Sequence, residues 1–419
     1  MEYTNDSDPI PIQDAKWLTA LQGVTFSNVQ RLLDSIQLEA KSLQFLDQDE
    51  GVINMIFVVE AVCKSSKEPI SLILRVSNPY RYWKRRKQDN EIQCLNLIHR
   101  WNAFNPQSII PVPRIYAYSS DAATSILGCE FSLVQKMSGI NGSRIYQLDL
   151  ESKKRFWKDY MDVLQSIRSI PASLAFGDQC ENTNVFGTFQ FGAKTAGPLI
   201  VDTHWDSGPY TDFHTLLLEQ VTYSIQLMDE SWEVRKYLSE EDCTTLKEQS
   251  LDVLEHLKKL NLPLSRLALT HDDLHSGNFL IDPETGHIVA VLDWDRAYWG
   301  SHNMKTQDFC RSVCGHLFAA PEDATYLSEQ LALVEADYPS SGLDKALLDW
   351  FDLSMSVMDM VVAISTWFGP PKPNGDEWII PNREDQSLHY IQMVEAFRAQ
   401  YATMNNIFEH ASLHRFVKD

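Results

Sequence analysis

The chain has 419 residues, 44% hydrophobic and 22% charged, the make-up of a globular protein large enough for two domains or lobes. A formal net charge of −21 and a sequence pI near 4.9 argue against a nucleic-acid or anionic-membrane surface and permit attraction of a cationic small molecule. A solvated acidic surface accounts for the charge equally well.

Seven cysteines, at positions 63, 94, 129, 180, 243, 310 and 314, are an odd number without close pairing, as expected of reduced thiols in a cytoplasmic compartment. Cys310 and Cys314, near His302 and His316, match no usual zinc spacing and read as core packing. The acidic, polar N-terminus MEYTNDSDPIPIQD resembles neither a signal nor a transit peptide. Asp349, Asp352 and Asp359 interrupt the longest apolar stretch, Ala346 to Trp367, which favours a buried helix over a membrane span.

In chain order, residues 12–40 read as helical, with Trp17, Leu18, Leu21, Val29, Leu32, Leu33 and Ile36 near a 3.6-residue period. LQFLDQDEGVINMIFVVEAVCK reads as two strands around a turn at Asp47 to Gly51. The strand ISLILRVSNP follows, then the basic loop Arg81 to Lys87, which reads as a solvated loop on so acidic a chain, then the helix NEIQCLNLIHRW. IIPVPRIYAYSSD is an extended connection into a fourth strand, and GCEFSLVQKMSG supplies a fifth. From Glu151 the pattern turns helical, and RFWKDYMDVLQSIRSI places Phe156, Tyr160, Val163, Leu164 and Ile167 on one face. Residues 176–215 lack periodicity and read as an insertion. DCTTLKEQSLDVLEHLKKL is a further amphipathic helix, and 347–368 and 386–408 are long helical patterns at the C-terminal end.

The chemistry concentrates between Leu269 and Gly300, LTHDDLHSGNFLIDPETGHIVAVLDWDRAYWG. His271, Asp273 and Asn278 have the spacing of a kinase catalytic loop, in which an Asp accepts the substrate hydroxyl proton and an Asn holds a metal. FLID and HIVAVLD read as two short strands joined by a turn at Pro283 to Gly286, a hairpin that returns Asp293 to the side of Asn278.

HDDLHSGNFLID followed by VLDWDRAYWG resembles the aminoglycoside phosphotransferase and choline kinase-like family of small-molecule kinases. Protein kinases resemble it less, because they carry Arg between the His and the Asp and Phe-Gly after the second Asp. The resemblance covers most of residues 45–315 and is most specific at 269–300. It implies an α+β protein-kinase-like two-lobe fold, with a five-stranded antiparallel N-terminal lobe over residues 1–137 and a mainly helical C-terminal lobe over 138–419.

The resemblance also implies a set of site residues. Asp273 is the catalytic base, and Asn278 and Asp293 hold Mg²⁺. Gly51 and Asn54 fit a phosphate-covering loop, although an ordinary hairpin turn fits Gly51 equally. Arg75 stands where the family has a phosphate-binding lysine on the third strand, and Glu91 is its helix partner. Gln135 and Met137 flank Lys136 near the adenine position, and Gly139 marks the crossing between lobes. His275 either reaches the phosphates or holds the loop, and His271 is structural. Asp308 is a carboxylate that accepts backbone N–H groups of the loop. Asp295 is a weaker candidate, for a second metal or a cationic acceptor; Trp299, a weaker candidate for the acceptor, belongs with Trp294, Tyr298, Trp367 and Phe368 either to an aromatic wall for an ammonium group or to the core. The implied function is ATP-dependent phosphorylation of a hydroxyl, less readily an amine, on a small metabolite, with no nucleic-acid or membrane partner. The rival is a catalytically impaired kinase-like binding protein, raised by Arg75.

Overall fold

The computed structural model describes residues 2–3, 22–46, 54–77, 86–176, 239–259, 267–271, 273–301 and 306–337, with isolated helical positions at 218–229 and 395–403. Outside the described residues lie Gly51, Asp272, Trp367 and Phe368, most of the 81–87 loop, residues 12–20, the insertion at 177–215 and the helical patterns of 347–368 and 386–394. The side chains of Tyr298 and Asp308 lie outside them too. By contact the chain divides into two compact units, Met1–Ala175 with Thr270–Ala297, and Phe176–Leu269 with Tyr298–Asp419. This grouping puts Thr270–Ala297 with the N-terminal sheet.

The first unit is built on an antiparallel sheet in the order β1-β2-β3-β4-β6-β5, with β1 (Glu2–Tyr3) a two-residue edge strand. The five longer strands are β2 (Leu38–Phe45), β3 (Asn54–Cys63), β4 (Pro69–Ser77), β5 (Ile115–Ser119) and β6 (Phe131–Gln135). Because successive strand residues point to opposite faces, β3 and β4 carry two different surfaces. Phe57, Val59, Leu72, Leu74 and Val76 turn inward and join Val29, Leu32 and Leu33 of α1 (Phe26–Ser35) in the core. Asn54, Ile56, Ile73 and Arg75 face the other way. The register sets Ile56 opposite Arg75 and Arg75 opposite Ser132.

The helix expected over 12–40 ends five residues early. Thr25 caps α1 by accepting from the Asn28 N–H at 3.2 Å, and the chain leaves the helix at Gln37, whose φ is +62°. Leu38 and Ala40 then alternate into the core as strand residues, which the run of apolar residues concealed.

α2 (Arg86–Phe104) buries the polar residues Gln88, Asn90 and Glu91 beside Ile92, Leu95 and Ile98. A second sheet, in the order β10-β9-β7, joins β7 (Ile140–Asn141), β9 (Phe279–Ile281) and β10 (Ile288–Val291). The β9–β10 turn is held by Asp282 Oδ1, which accepts from the Glu284 and Thr285 N–H groups at 3.0 and 2.8 Å. α3 (Leu150–Ser169) starts at Asp149, whose carboxylate accepts from the Ser152 N–H at 2.8 Å. It packs Phe156 and Tyr160 against Phe279, with ring centroids 5.6 and 5.7 Å apart, so the strand leaving the catalytic loop is pinned from behind.

In the second unit, α4 (Glu240–Lys259) buries Leu246, Val253 and Leu257, and β8 (Leu267–Thr270) pairs with β11 (Tyr298–Ser301). α5 (Thr306–Leu317) buries Cys310, Val313, Cys314 and Leu317 next to α6 (Ala324–Asp337). The packing role expected of the two cysteines is what they perform, and burial pushes the Cys314 thiol up to about 12. Among the described residues no helix is long and apolar enough to cross a membrane.

Candidate active site

Arg75 projects from β4 on the face away from the core, and its two guanidinium nitrogens divide between two carboxylates. Nη1 donates to Glu91 Oε1 in a short contact, and Nη2 donates to Asp293 Oδ1 at 2.7 Å. The forked donor set makes this division possible; a single ammonium would favour one partner. Burial works against the charge of Arg75, and Glu91, Asp293 and Asp295 more than reverse that, so its pKa rises above the usual arginine value. Glu91 is nearly sealed, with 3% of its side chain exposed, whereas Asp293 keeps 33%.

The loop after β8 is organised by its own side chains. Asn278 Nδ2 donates to the Asp273 carbonyl at 2.8 Å and to Asp273 Oδ2 at 3.1 Å, so the amide nitrogen is committed to Asp273 and the amide oxygen is turned from it. His275 Nδ1 accepts from the Gly277 N–H at 3.0 Å, which leaves the proton on Nε2, 3.7 Å from Asp273 Oδ1. The loop hydrogen bond open to His275 is therefore formed. His271 Nε2 donates to the Leu292 carbonyl at 2.8 Å, its ring centroid lies 4.4 Å from that of Trp294, and it is 3% exposed. Burial holds its pKa below the usual histidine value, offset in part by the Leu292 carbonyl and nearby carboxylates, which favours the neutral ring.

The hairpin returns Asp293 to Asn278: the Leu292 N–H donates to the Asn278 carbonyl at 2.8 Å. Asp293 itself adopts the left-handed region, φ 64° and ψ 59°, an arrangement few side chains other than Asn and Asp accept. Contacts from three other segments support the loop. The Tyr160 hydroxyl donates to the Leu274 carbonyl at 3.3 Å, Asn141 Nδ2 donates to the Gly277 carbonyl at 3.3 Å, and the Tyr146 and Ser276 hydroxyls meet at 2.8 Å.

Between these groups lies a cavity of about 570 Å³, in the size range of small-ligand and cofactor sites. Asn54, Arg75, Glu91, Gln135, Met137, Asn278 and Asp293 all line it, with Ile56, Ile73, Leu95 and Val134 among its apolar walls. Seven of the residues singled out in the sequence therefore share one space. Asp273 and His275 stand one contact away through Asn278. Asp295 is 7% exposed and Trp294 wholly buried, its indole N–H donating to the Val291 carbonyl at 3.1 Å. Trp294 is buried and also lines the cavity, whereas Trp299 is a buried residue of the second unit. The sequence reading passed over Asn90, Tyr146 and Tyr160 as site residues.

Among the described residues no three His, Cys, Asp or Glu side chains converge as a ready metal cage. Mg²⁺ does not need one, because it keeps several waters and takes one or two protein oxygens together with substrate phosphates. The amide oxygen of Asn278 and the carboxylate of Asp293 are the hard donors such an ion requires, and they line one cavity.

A family model described as "Phosphotransferase enzyme family" matches residues 49–339, more than half of the chain. No curated protein matches the sequence at a significant level. Among solved structures, a thermostable mutant of aminoglycoside phosphotransferase APH(4)-Ia, in ternary complex with AMP-PNP and hygromycin B, is 14% identical with a TM-score of 0.48, over 89% of this chain and 98% of that one. The GDP complex of wild-type aminoglycoside 2'-phosphotransferase-IIIa is 12% identical with a TM-score of 0.48, over 90% and 97%. A Plasmodium vivax ethanolamine kinase is 12% identical with a TM-score of 0.45, over 94% and 93%.

Proposed function

This chain belongs to the phosphotransferase enzyme family, and on that premise we propose that it transfers the terminal phosphoryl group of ATP to a hydroxyl of a small metabolite. The observation that supports this reading is the shared cavity. Arg75, Glu91, Asn278 and Asp293 come from separate stretches of chain and line one space beside Asp273.

In this reading the apolar walls and the Gln135 to Met137 segment take the base of the nucleotide, and Arg75 offers its guanidinium to the phosphates while Glu91 fixes its direction. Asn278 and Asp293 hold Mg²⁺, which when bound neutralises charge on the phosphates. Asp273 accepts the proton of the acceptor hydroxyl as that oxygen bonds to phosphorus; the bond from phosphorus to the bridging oxygen breaks and ADP leaves. Asn278 holds the Asp273 carboxylate for this task at 3.1 Å. The −21 net charge suits a cationic acceptor.

One observation favours a second reading, a kinase-like binding protein with little turnover: Arg75 holds the Asp293 carboxylate at 2.7 Å. An ATP-consumption screen against amino alcohols, aminoglycosides, sugars and hydroxy amino acids separates the two. Acceptor-dependent ADP release supports the transferase. Tight nucleotide binding with no release for any acceptor supports the binder.

A further inference from the structure

Asp293 is held in the left-handed backbone region, which a non-glycine residue keeps where its surroundings over-determine it. On its upstream side the bracing is plain. The Leu292 N–H is taken by the Asn278 carbonyl at 2.8 Å, and the Leu292 carbonyl by His271 Nε2 at 2.8 Å. Downstream, the Ala297 N–H donates to the Trp294 carbonyl at 3.1 Å across the turn Trp294–Arg296. α2 adds a side-chain clamp. Asn90 Nδ2 donates to the Asp295 carbonyl at 2.9 Å and to the Ala297 carbonyl at 2.8 Å.

This contact is built for its place. Asn90 is 4% exposed, Asp295 7% and Ala297 wholly buried, so the two carbonyls have little water to turn to. A primary amide has two N–H groups on one nitrogen, which match two carbonyls spaced two residues apart. Asn90 also adjoins Glu91, so α2 reaches Asp293 by two routes: through side chains, by Glu91 and Arg75, and through the backbone, by Asn90.

We propose that Asn90 is the positioning residue that fixes the carboxylate of Asp293 for the metal, by clamping the turn that follows it to the helix carrying Glu91. This rests on the reading of Asp293 as a Mg²⁺ ligand. Asn90 is not among the residues that line the cavity. Its removal lets the turn relax, so the metal finds its carboxylate less often in place, while the apolar walls and Arg75 are untouched.

The test is calorimetric titration of ATP into the full chain at a series of Mg²⁺ concentrations, together with amide hydrogen exchange of residues 293–297 in metal-free protein. Asn90→Ala should raise the Mg²⁺ concentration for half-maximal enhancement of ATP binding about tenfold, the usual effect of losing a residue that orients a metal ligand. ATP binding without Mg²⁺ should stay as in the wild type, and exchange at 293–297 should speed up. Leu97→Ala, a buried change on the same helix, should lower the melting temperature and leave the Mg²⁺ dependence alone. If Asn90→Ala does not fold, Asn90→Ser is titrated in its place against the same criteria. An Asn90 variant that keeps the wild-type Mg²⁺ dependence, or loses ATP binding equally with and without Mg²⁺, overturns the inference and leaves Asp293 as a ligand. If Asp293→Ala keeps the full Mg²⁺ enhancement, the metal reading falls and the inference falls with it.

Discussion

Arg75→Ala removes a side chain that touches both the helix carboxylate and the carboxylate after the hairpin. Removing one partner of a buried ion pair costs ~3–5 kcal/mol, because the remaining charge stays in a poorly solvated site. Glu91 is nearly sealed and bears that cost, whereas water reaches a third of Asp293 and recovers most of its share. The expected loss is therefore about 3 kcal/mol, the low end of that range. Arg75→Lys keeps the charge and loses the fork, so one ammonium serves Glu91 or Asp293 well and the other poorly; the expected loss is about 1 kcal/mol. Urea unfolding gives the free energies. Adding Glu91→Gln to Arg75→Ala should cost less than the sum of the single changes, since the stranded charge is gone. Steady-state kinetics with varied ATP gives the functional side, with Arg75→Ala sharply impaired and Arg75→Lys partly active. Unfolding of Arg75→Ala within about 0.5 kcal/mol of wild type would refute the buried-pair reasoning. Unchanged turnover and KM for ATP would refute the assignment of Arg75 to the phosphates.

His271 has a folded-state pKa below the ordinary 6.5, so the unfolded chain takes up its proton first as pH falls. Its contribution is complete above that value and is lost below it, at up to about 1.4 kcal/mol per pH unit for one proton, until the folded pKa is reached. Urea unfolding at pH 7.5 and 5.5 should show a shallower decline for His271→Gln than for wild type. Gly142→Ala would set a Cβ 2.3 Å from the Ser276 carbonyl oxygen, backbone against backbone, with an expected loss of about 1–3 kcal/mol. Because Ser276 lies in the turn between Asp273 and Asn278, turnover of this variant should fall more than its affinity for ATP, which kinetics and equilibrium titration measure separately.

What the sequence made legible was local. Asp273 and Asn278 lie five positions apart, and the β9–β10 hairpin needs only its alternation and a Pro-to-Gly turn to bring Asp293 home, so spacing alone carried them. Arg75 and Glu91 were reached through the resemblance, by strand and helix order; their actual contact, and the reach of Arg75 to Asp293 across 218 positions, belongs to tertiary structure. Asn90 was out of reach for the same reason. Nothing in an amide at one position says that it will meet carbonyls 205 and 207 residues further on. The start of β2 was misread because Leu32, Leu33 and Ile36 run on into Leu38 and Ala40, and only the positive φ of Gln37 separates helix from strand. Of the two roles the sequence left open for the tryptophans, burial is what the structure gives Trp294 and Trp299, and Trp294 also lines the cavity.

The central claim is that Asp273 takes the acceptor proton and does not bind the nucleotide. Asp273→Asn keeps the shape of the side chain and abolishes its basicity, so one experiment isolates that role. Phosphoester formation and ATP affinity are measured for the wild type and the variant with an acceptor found in the screen. Turnover should fall by roughly 10²–10⁴-fold, the contribution of a positioned base, while ATP affinity stays close to wild type. A variant that keeps more than about a tenth of the wild-type rate, or that loses ATP binding along with turnover, contradicts the account.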